Sequence, residues 1–117
     1  MSSNYHNNIH VVDDDRVICH SISRLLDKHG YKVEVFSSAE QYLDSLIDGY
    51  DGYLLLDHKM SGMSGLELQE ILIQRDIKPQ IIFITAMGDL IEKQALANGA
   101  IKVFDKPFDL KELIDIL

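Results

Sequence analysis

Four apolar runs of this chain end on residues that can do chemistry. Ile9-His10-Val11-Val12 runs into Asp13-Asp14-Asp15, and Tyr53-Leu54-Leu55-Leu56 ends on Asp57. Ile81-Ile82-Phe83-Ile84 ends on the hydroxyl of Thr85, and Ile101-Lys102-Val103-Phe104 runs into Asp105-Lys106-Pro107. Open α/β sheets build their sites beyond the carboxyl ends of parallel strands. If these runs are neighbouring parallel strands, Asp13, Asp14, Asp57, Thr85 and Lys106 meet at one edge. Two carboxylates about 4 Å apart repel by about 4 kcal/mol at an effective dielectric near 20. A hard cation such as Mg²⁺ relieves that repulsion, takes oxygen ligands and keeps waters that a phosphate can displace. A hydroxyl and an ammonium beside it supply donors for phosphoryl oxygens. Each residue has a plainer reading: a helix cap for an acidic triplet, a β-former for threonine, surface charge for lysine. Their joint placement at strand ends favours the chemical one.

The elements that must position these residues alternate. Strand patterns cover 9–13, 32–36, 52–57, 80–85 and 101–104, and most are continuously apolar, as in a sheet covered on both faces. Lys32-Val33-Glu34-Val35-Phe36 alternates instead and reads as an edge strand. Helical patterns lie between them. The first spans 16–28, with Val17, Ile18, Ile22, Leu25 and Leu26 as its apolar stripe and Gly30 as its stop. The second starts near Ser37 or Ser38, with Ser37 and Glu40 at capping-box spacing, and carries Tyr42, Leu43, Leu46 and Ile47. The third begins at Ser64 with Glu67 three residues on. The fourth runs from Asp89 to Asn98. The fifth opens at Asp109 and is still apolar at Leu117, as in a chain cut within or just after that helix. Five βα alternations predict an α/β fold, a doubly wound five-stranded parallel sheet.

Composition sets outer bounds. At 117 residues with 46% hydrophobic content the chain is one domain that buries roughly two thirds of its unfolded surface. A net charge of −8 argues against direct nucleic-acid binding. The single Cys19 cannot form an internal disulfide, which fits a reducing, cytoplasmic location. No signal-like start and no apolar run of about 20 residues is visible, so no membrane partner is expected. His6 and His10 lie four apart, but the segment is Asn-rich and His10 begins a strand, so they are not read as metal ligands.

The stretches Val11-Val12-Asp13-Asp14-Asp15, Leu56-Asp57-His58-Lys59-Met60-Ser61-Gly62-Met63-Ser64-Gly65, Ile84-Thr85-Ala86 and Asp105-Lys106-Pro107-Phe108 resemble those of bacterial two-component response-regulator receiver domains. The likeness extends over nearly the whole chain, in order and spacing. It implies a CheY-like, flavodoxin-like sheet of order 2-1-3-4-5 and one receiver domain over residues 1–117. It implies that Asp57 accepts a phosphoryl group from a sensor histidine kinase, the domain assisting its own phosphorylation and dephosphorylation without being an enzyme in the usual sense. Mg²⁺ would be held by Asp14, Asp57 and the backbone carbonyl of Lys59, with Asp13 acting through a bound water. Lys106 would pair with Asp57 and then with the phosphoryl group, and Thr85 would swing towards it. Self-dimerisation through the face of helix four, strand five and helix five is a further expectation. Two outputs stay open: a single-domain regulator, or the N-terminal part of a longer one. Ser37-Ser38-Ala39-Glu40 and Met63-Ser64-Gly65-Leu66-Glu67-Leu68 are most similar to the nitrogen-fixation (FixJ) type, which implies a C-terminal DNA-binding domain and transcription regulation.

Three positions depart from that pattern. Ser61 stands where the family usually has proline, which predicts a looser loop. Val103 stands where a switch aromatic is usual, and Phe104 next to it points to the opposite face. His58 follows the phosphoacceptor and, one step along, points away from the site. The Lys106–Pro107 bond is open to both isomers. An enzyme alternative rests on Asp13-Asp14-Asp15-Arg16-Val17, which satisfies the D-x-D-x-V signature of haloacid dehalogenase-type phosphatases, with Asp13 as nucleophile and Asp15 as general acid. It leaves Asp57 without a role. A flavin carrier of the same strand order would need a phosphate loop where the aspartates stand. Gly62 and Gly65 read as turn glycines, and Met60, Met63 and Met87 as gap-filling residues.

Overall fold

The computed structural model describes residues 7–46 and 49–117; His6 and Ile47 lie outside them. Five strands, β1 (Asn8–Val12), β2 (Lys32–Phe36), β3 (Tyr53–Leu56), β4 (Gln80–Thr85) and β5 (Lys102–Asp105), form one sheet of order β2-β1-β3-β4-β5. Every neighbouring pair is parallel. The helices are α1 (Arg16–Lys28), α2 (Ala39–Ser45), α3 (Gly65–Gln74), α4 (Gly88–Ala97) and α5 (Leu110–Ile116). The alternating β2 is at an edge, as its pattern predicts, and the bounds of α1 agree with the sequence reading. The Lys106–Pro107 bond is cis.

Strand side chains alternate between faces, and this divides the core in two. Val12, Leu54, Leu56, Phe83 and Val103 join Tyr42, Leu68 and Ile91 from α2, α3 and α4. Val11, Leu55, Ile82, Ile84 and Phe104 join Ile22, Leu26 and Leu113 from α1 and α5. Val103 and Phe104 therefore do lie on opposite faces. In α1 the stripe keeps Ile22 and Leu26, with Ile18 packed beside them, but takes Cys19 in place of Val17. Cys19 is buried with Ile22 and Leu26, whereas Val17 is 74% exposed. Cys19, Ile22 and Leu26 follow the i, i+3, i+7 rule, and Val17 falls a half-turn away.

Helix α2 also departs from expectation. Its cap is Ser38, whose hydroxyl accepts from Gln41 N–H at 3.0 Å, and Gln41 rather than Glu40 reaches back to accept from Ser37 N–H at 2.7 Å. The helix stops at Ser45, and Leu46 is already extended (φ −70°, ψ 135°). The Ser45 hydroxyl donates to the carbonyls of Gln41 and Tyr42, a local bond that competes with helix continuation. The Ser64/Glu67 capping box of α3 is present in both directions.

His10 sits in the middle of β1 rather than at its start, under an aromatic cluster. Its ring stacks on Tyr50 at 3.9 Å and meets Phe36 and Tyr42 edge-on. Nδ1 lies 2.9 Å from the Tyr42 hydroxyl, and Nε2 faces Glu34 at 3.8 Å. A neutral ring that accepts from Tyr42 and presents Nε2–H to Glu34 satisfies both contacts. Burial lowers the His10 pKa below 6.5, with the Glu34 charge acting in the opposite sense. The folded state thus binds this proton less readily than the unfolded one. Stability should be unaffected by His10 above about pH 6.5 and should fall as pH drops through that value towards the lower native pKa. Denaturant midpoints at pH 7.5 and 5.5 check this. The double change His10→Phe with Tyr42→Phe, which removes both polar partners, should flatten that part of the profile.

Candidate phosphoryl and metal site

The register of the sheet brings the expected residues together. Val12 pairs with Leu56, so the residues that follow them, Asp13 and Asp57, emerge side by side. Thr85 pairs with Asp105, which places Lys106 one step beyond it. Carboxylate oxygens of Asp13, Asp14 and Asp57 lie within 4.8 Å of one another, the one such acidic cluster among the described residues. Lys106 Nζ donates to Asp13 Oδ2 at 2.9 Å and to Asp57 Oδ2 at 3.2 Å. The sequence reading assigned the lysine to Asp57; the structure divides it between two aspartates and sets it nearer Asp13.

The acidic triplet divides its labour. Asp13 is buried and its Oδ1 accepts the Asp15 N–H at 2.9 Å. Asp14 is exposed at the mouth of the cluster. Asp15 caps α1, accepting from Val17 and Ile18 N–H. Burial pushes the Asp13 carboxyl above the ordinary range, and the Asp57 charge adds to this, while Lys106 and the Asp15 amide act against it. Burial alone would lower the Lys106 ammonium, but its bonds to Asp13 and Asp57 outweigh that and hold it above the usual value. Lys106 is therefore charged at neutral pH, and the cluster keeps an excess of negative charge. All the side-chain donors are hard oxygens, a set that suits a divalent cation of the Mg²⁺ class.

Two loops frame the cluster, and each has one tie from a distant element, Glu40 for the first and Asp105 for the second. In the loop after Asp57, Ser61 N–H donates weakly to Asp14 Oδ2 at 3.4 Å, Met63 N–H to Glu40 Oε2 at 2.9 Å, and Gly65 N–H to the His58 carbonyl at 2.8 Å. Ser61 itself makes only the long contact to Asp14, while Met63, two residues on, is tied to α2. His58 Nδ1 accepts from Leu66 N–H at 3.4 Å, so its ring serves the first turn of α3. Lys59 lies in the same loop and is exposed. In the loop after β4, Thr85 is fully buried and its hydroxyl oxygen accepts from Met87 N–H at 3.2 Å. Thr85 is thus engaged with its own loop.

Sequence reading missed Asp105, which does not join the acidic cluster. Helix α4 has Met87 at its N-cap position, with no side-chain cap of its own. The Asp105 carboxylate, coming from β5, accepts the Gly88 N–H at 3.0 Å. It lies so close to the Gly88 Cα that a Cβ there would collide with it. No local signal gave it: the sequence offers Asp89 at this helix start, whereas the carboxylate that accepts from Gly88 N–H comes from β5, seventeen residues on. Asp105→Ala should leave Gly88 N–H uncapped, cost about 1 kcal/mol and lower the melting midpoint by roughly 4 °C. Calorimetry should find Gly88→Ala destabilised as well, because the new methyl displaces the same carboxylate.

A doubly wound sheet with an acidic cluster and a lysine at its carboxyl edge defines a CheY-like α/β domain. Residues 9–117 match the response regulator receiver domain, and the chain belongs to that family. It is 37% identical over 108 residues to the transcriptional regulatory protein TdiR of Thauera aromatica, covering 92% of this chain and 48% of that protein. The structure described as FixJ-N superposes with a TM-score of 0.83 at 32% identity, over 98% of this chain and 90% of that one. The response regulator TrrA of Thermotoga maritima, solved in complex with Mg²⁺-BeF, gives a TM-score of 0.81 at 27% identity, over 93% and 94% of the two chains. The chain spans about half the length of the curated relatives it matches. The phosphatase alternative is not supported: its general acid, Asp15, is spent on the α1 cap, and Asp57, idle in that scheme, sits in the cluster. No helix among the described residues is long and apolar enough to cross a membrane.

Proposed function

We propose that Asp57 of this receiver domain is the phosphoryl acceptor, that Asp13, Asp14, Asp57 and the Lys59 carbonyl hold Mg²⁺, and that a histidine kinase is the donor. The observation that carries this is the shared lysine: Lys106 bridges Asp13 and Asp57 at the mouth of a cluster of hard oxygen donors. The Mg²⁺-BeF complex of TrrA, a relative of the same fold, supports the same cation for this chain. When bound, the cation supplies charge neutralisation for the transferring group. The protein's own part is positioning. An Asp57 carboxylate oxygen attacks phosphorus, an O–P bond forms, and the P–N bond to the donor histidine breaks with the electron pair returning to the imidazole. Lys106 then exchanges an aspartate oxygen for a phosphoryl oxygen. For Thr85 to reach the phosphoryl group, its hydroxyl must release the Met87 amide, which frees the start of α4.

An apolar groove of about 360 Å³ beside Lys106, lined by Val17, Ile18, Pro107, Phe108 and Leu110, gives a kinase helix a place to dock. Leu90 in α4 and Ile101, just ahead of β5, are exposed apolar residues, which supports self-association there after phosphorylation. In a longer regulator the output would be a DNA-binding domain, by similarity to TdiR and FixJ. With Val103 in place of a ring, the Thr85 loop and α4 carry the switch.

Acetyl phosphate with Mg²⁺ should add one phosphate by intact mass, labile to hydroxylamine, and Asp57→Asn should take up none at this site. Phosphate found on Asp13 would overturn the assignment. Millimolar Mg²⁺ should raise the thermal midpoint of the wild type, by about 1.4 kcal/mol of stability when it is tenfold above Kd. Asp14→Asn should raise the metal-free midpoint by relieving repulsion and abolish the Mg²⁺-dependent rise; a rise of wild-type size in that variant would remove Asp14 from the ligand set.

A further inference from the structure

The loop from His58 to Ser64 connects the proposed acceptor to α3, and one of its fastenings comes from a helix with no other part in the site. Glu40, in the first turn of α2, accepts the Met63 N–H on Oε2 at 2.9 Å. The same oxygen lies 2.6 Å from the point where a Cβ on Gly62 would stand. Gly62 has φ +79° and no side chain, so the carboxylate rests directly over the backbone. Glu40 is free for this because Gln41 has taken the reciprocal bond at the α2 cap. Its carboxyl is held below the ordinary range, chiefly by the Met63 amide, so the contact stays charge-assisted across neutral and mildly acidic pH.

Position in the chain gives the contact its meaning. His58, Lys59 and Met60 stand between Asp57 and the Ser61-Gly62-Met63 segment. At the Ser61 end the tie to Asp14 is long, at 3.4 Å, and it uses a carboxylate that the site itself needs. At the other end Ser64 is committed to capping α3. Among the described residues the other anchors of this stretch outside the site are apolar, Met60 being buried in the core layer of α2, α3 and α4 and Met63 packing against it, so Glu40 supplies a directional polar tie that packing does not. Catalytic geometry is sensitive at this scale, a displacement of about 1 Å being worth up to about a hundredfold.

We infer that Glu40 is a positioning residue for phosphoryl acceptance, fixing Gly62 and Met63 so that the Lys59 carbonyl and Asp57 keep the placement that cation binding and phosphorylation require. Helix α2 is thereby coupled to the site through one carboxylate–amide bond. The inference rests on the reading of Asp57 and Lys59 given above.

The test compares Glu40→Ala with Glu40→Gln, which keeps a carbonyl oxygen for Met63. Mg²⁺ affinity by titration calorimetry should weaken roughly three- to tenfold in Glu40→Ala, the span expected for one lost hydrogen bond, and by less than about twofold in Glu40→Gln. Phosphorylation by acetyl phosphate should slow by a similar factor at limiting Mg²⁺ and recover in part at saturating Mg²⁺. Amide exchange at Met63 should speed up in Glu40→Ala alone, and in the wild type the Met63 amide shift should titrate with Glu40 below the ordinary glutamate range. A lowered melting point in Glu40→Ala with unchanged Mg²⁺ affinity and rate would reduce Glu40 to a structural contact and overturn the inference. Equal losses in both variants would overturn it too. If the wild type takes no phosphate on Asp57 while affinity and Met63 exchange respond as stated, the acceptor reading fails and the Glu40 contact stands.

Discussion

Three carboxylates share one sheet edge with a single ammonium, and much of the remaining structure is arranged around that imbalance. Removing Asp13 and Asp57 from water is costly, and Lys106 repays this only because it reaches both at hydrogen-bond distance. Moving the lysine away would leave two nearly buried charges facing one another. The strands fix the geometry so that neither carboxylate can retreat: Asp57 N–H donates to the Val12 carbonyl and Asp13 N–H to that of Phe36, extending the parallel ladders to the reacting residues. Asp15 is directed into α1, away from the charge. The result is a rigid cluster with negative charge to spare, which can be relieved only by something positive arriving from solvent.

Around this rigid centre the connecting loops are held by borrowed groups. Helix α4 takes its cap from β5, and the loop ahead of α3 takes a carboxylate from α2. Such ties join elements distant in sequence at the positions where a local change would need to be transmitted. The two-sided core sets the directions. Thr85 belongs to the face shared with α3 and α4, whereas Asp13 and Asp57 follow the parity of the strand residues that face α1 and α5. An event at the edge can therefore address either helical layer, depending on which side chain it moves.

The large-scale order of the fold was legible because strands covered on both faces are written as unbroken apolar runs, and the residues ending four of those runs form the site. The bounds of α1 were readable from Asp15 and Gly30, and the Ser64/Glu67 box was a purely local signal. What escaped depended on partners remote in sequence. Gln41 rather than Glu40 reaches back because the cap is Ser38 and not Ser37, and Glu40 is left to Met63, more than twenty residues away. Asp105 drew no role from the sequence, because its partner, Gly88, lies seventeen residues back on another element. Lys106 was matched to Asp57 because the resemblance suggested it, but the register also brings Asp13 within reach. Val17 was placed in the α1 stripe on hydrophobicity alone, while Cys19, a small apolar group in practice, took the buried position.

Cys19 has a use of its own. Its sulfur lies 3.3 Å from the Asp13 carbonyl oxygen, to which the thiol donates, directly beneath the cluster. Burial, followed by the nearby aspartates, pushes its pKa up to about 11, and the side chain is closed to solvent. The sole thiol of the chain is therefore almost wholly protonated and shielded from electrophiles while α1 is seated on β1. Its rate of alkylation is set by how often that helix lifts, so a thiol reagent acts as a clock for opening of the layer that backs the site, without any label having been introduced.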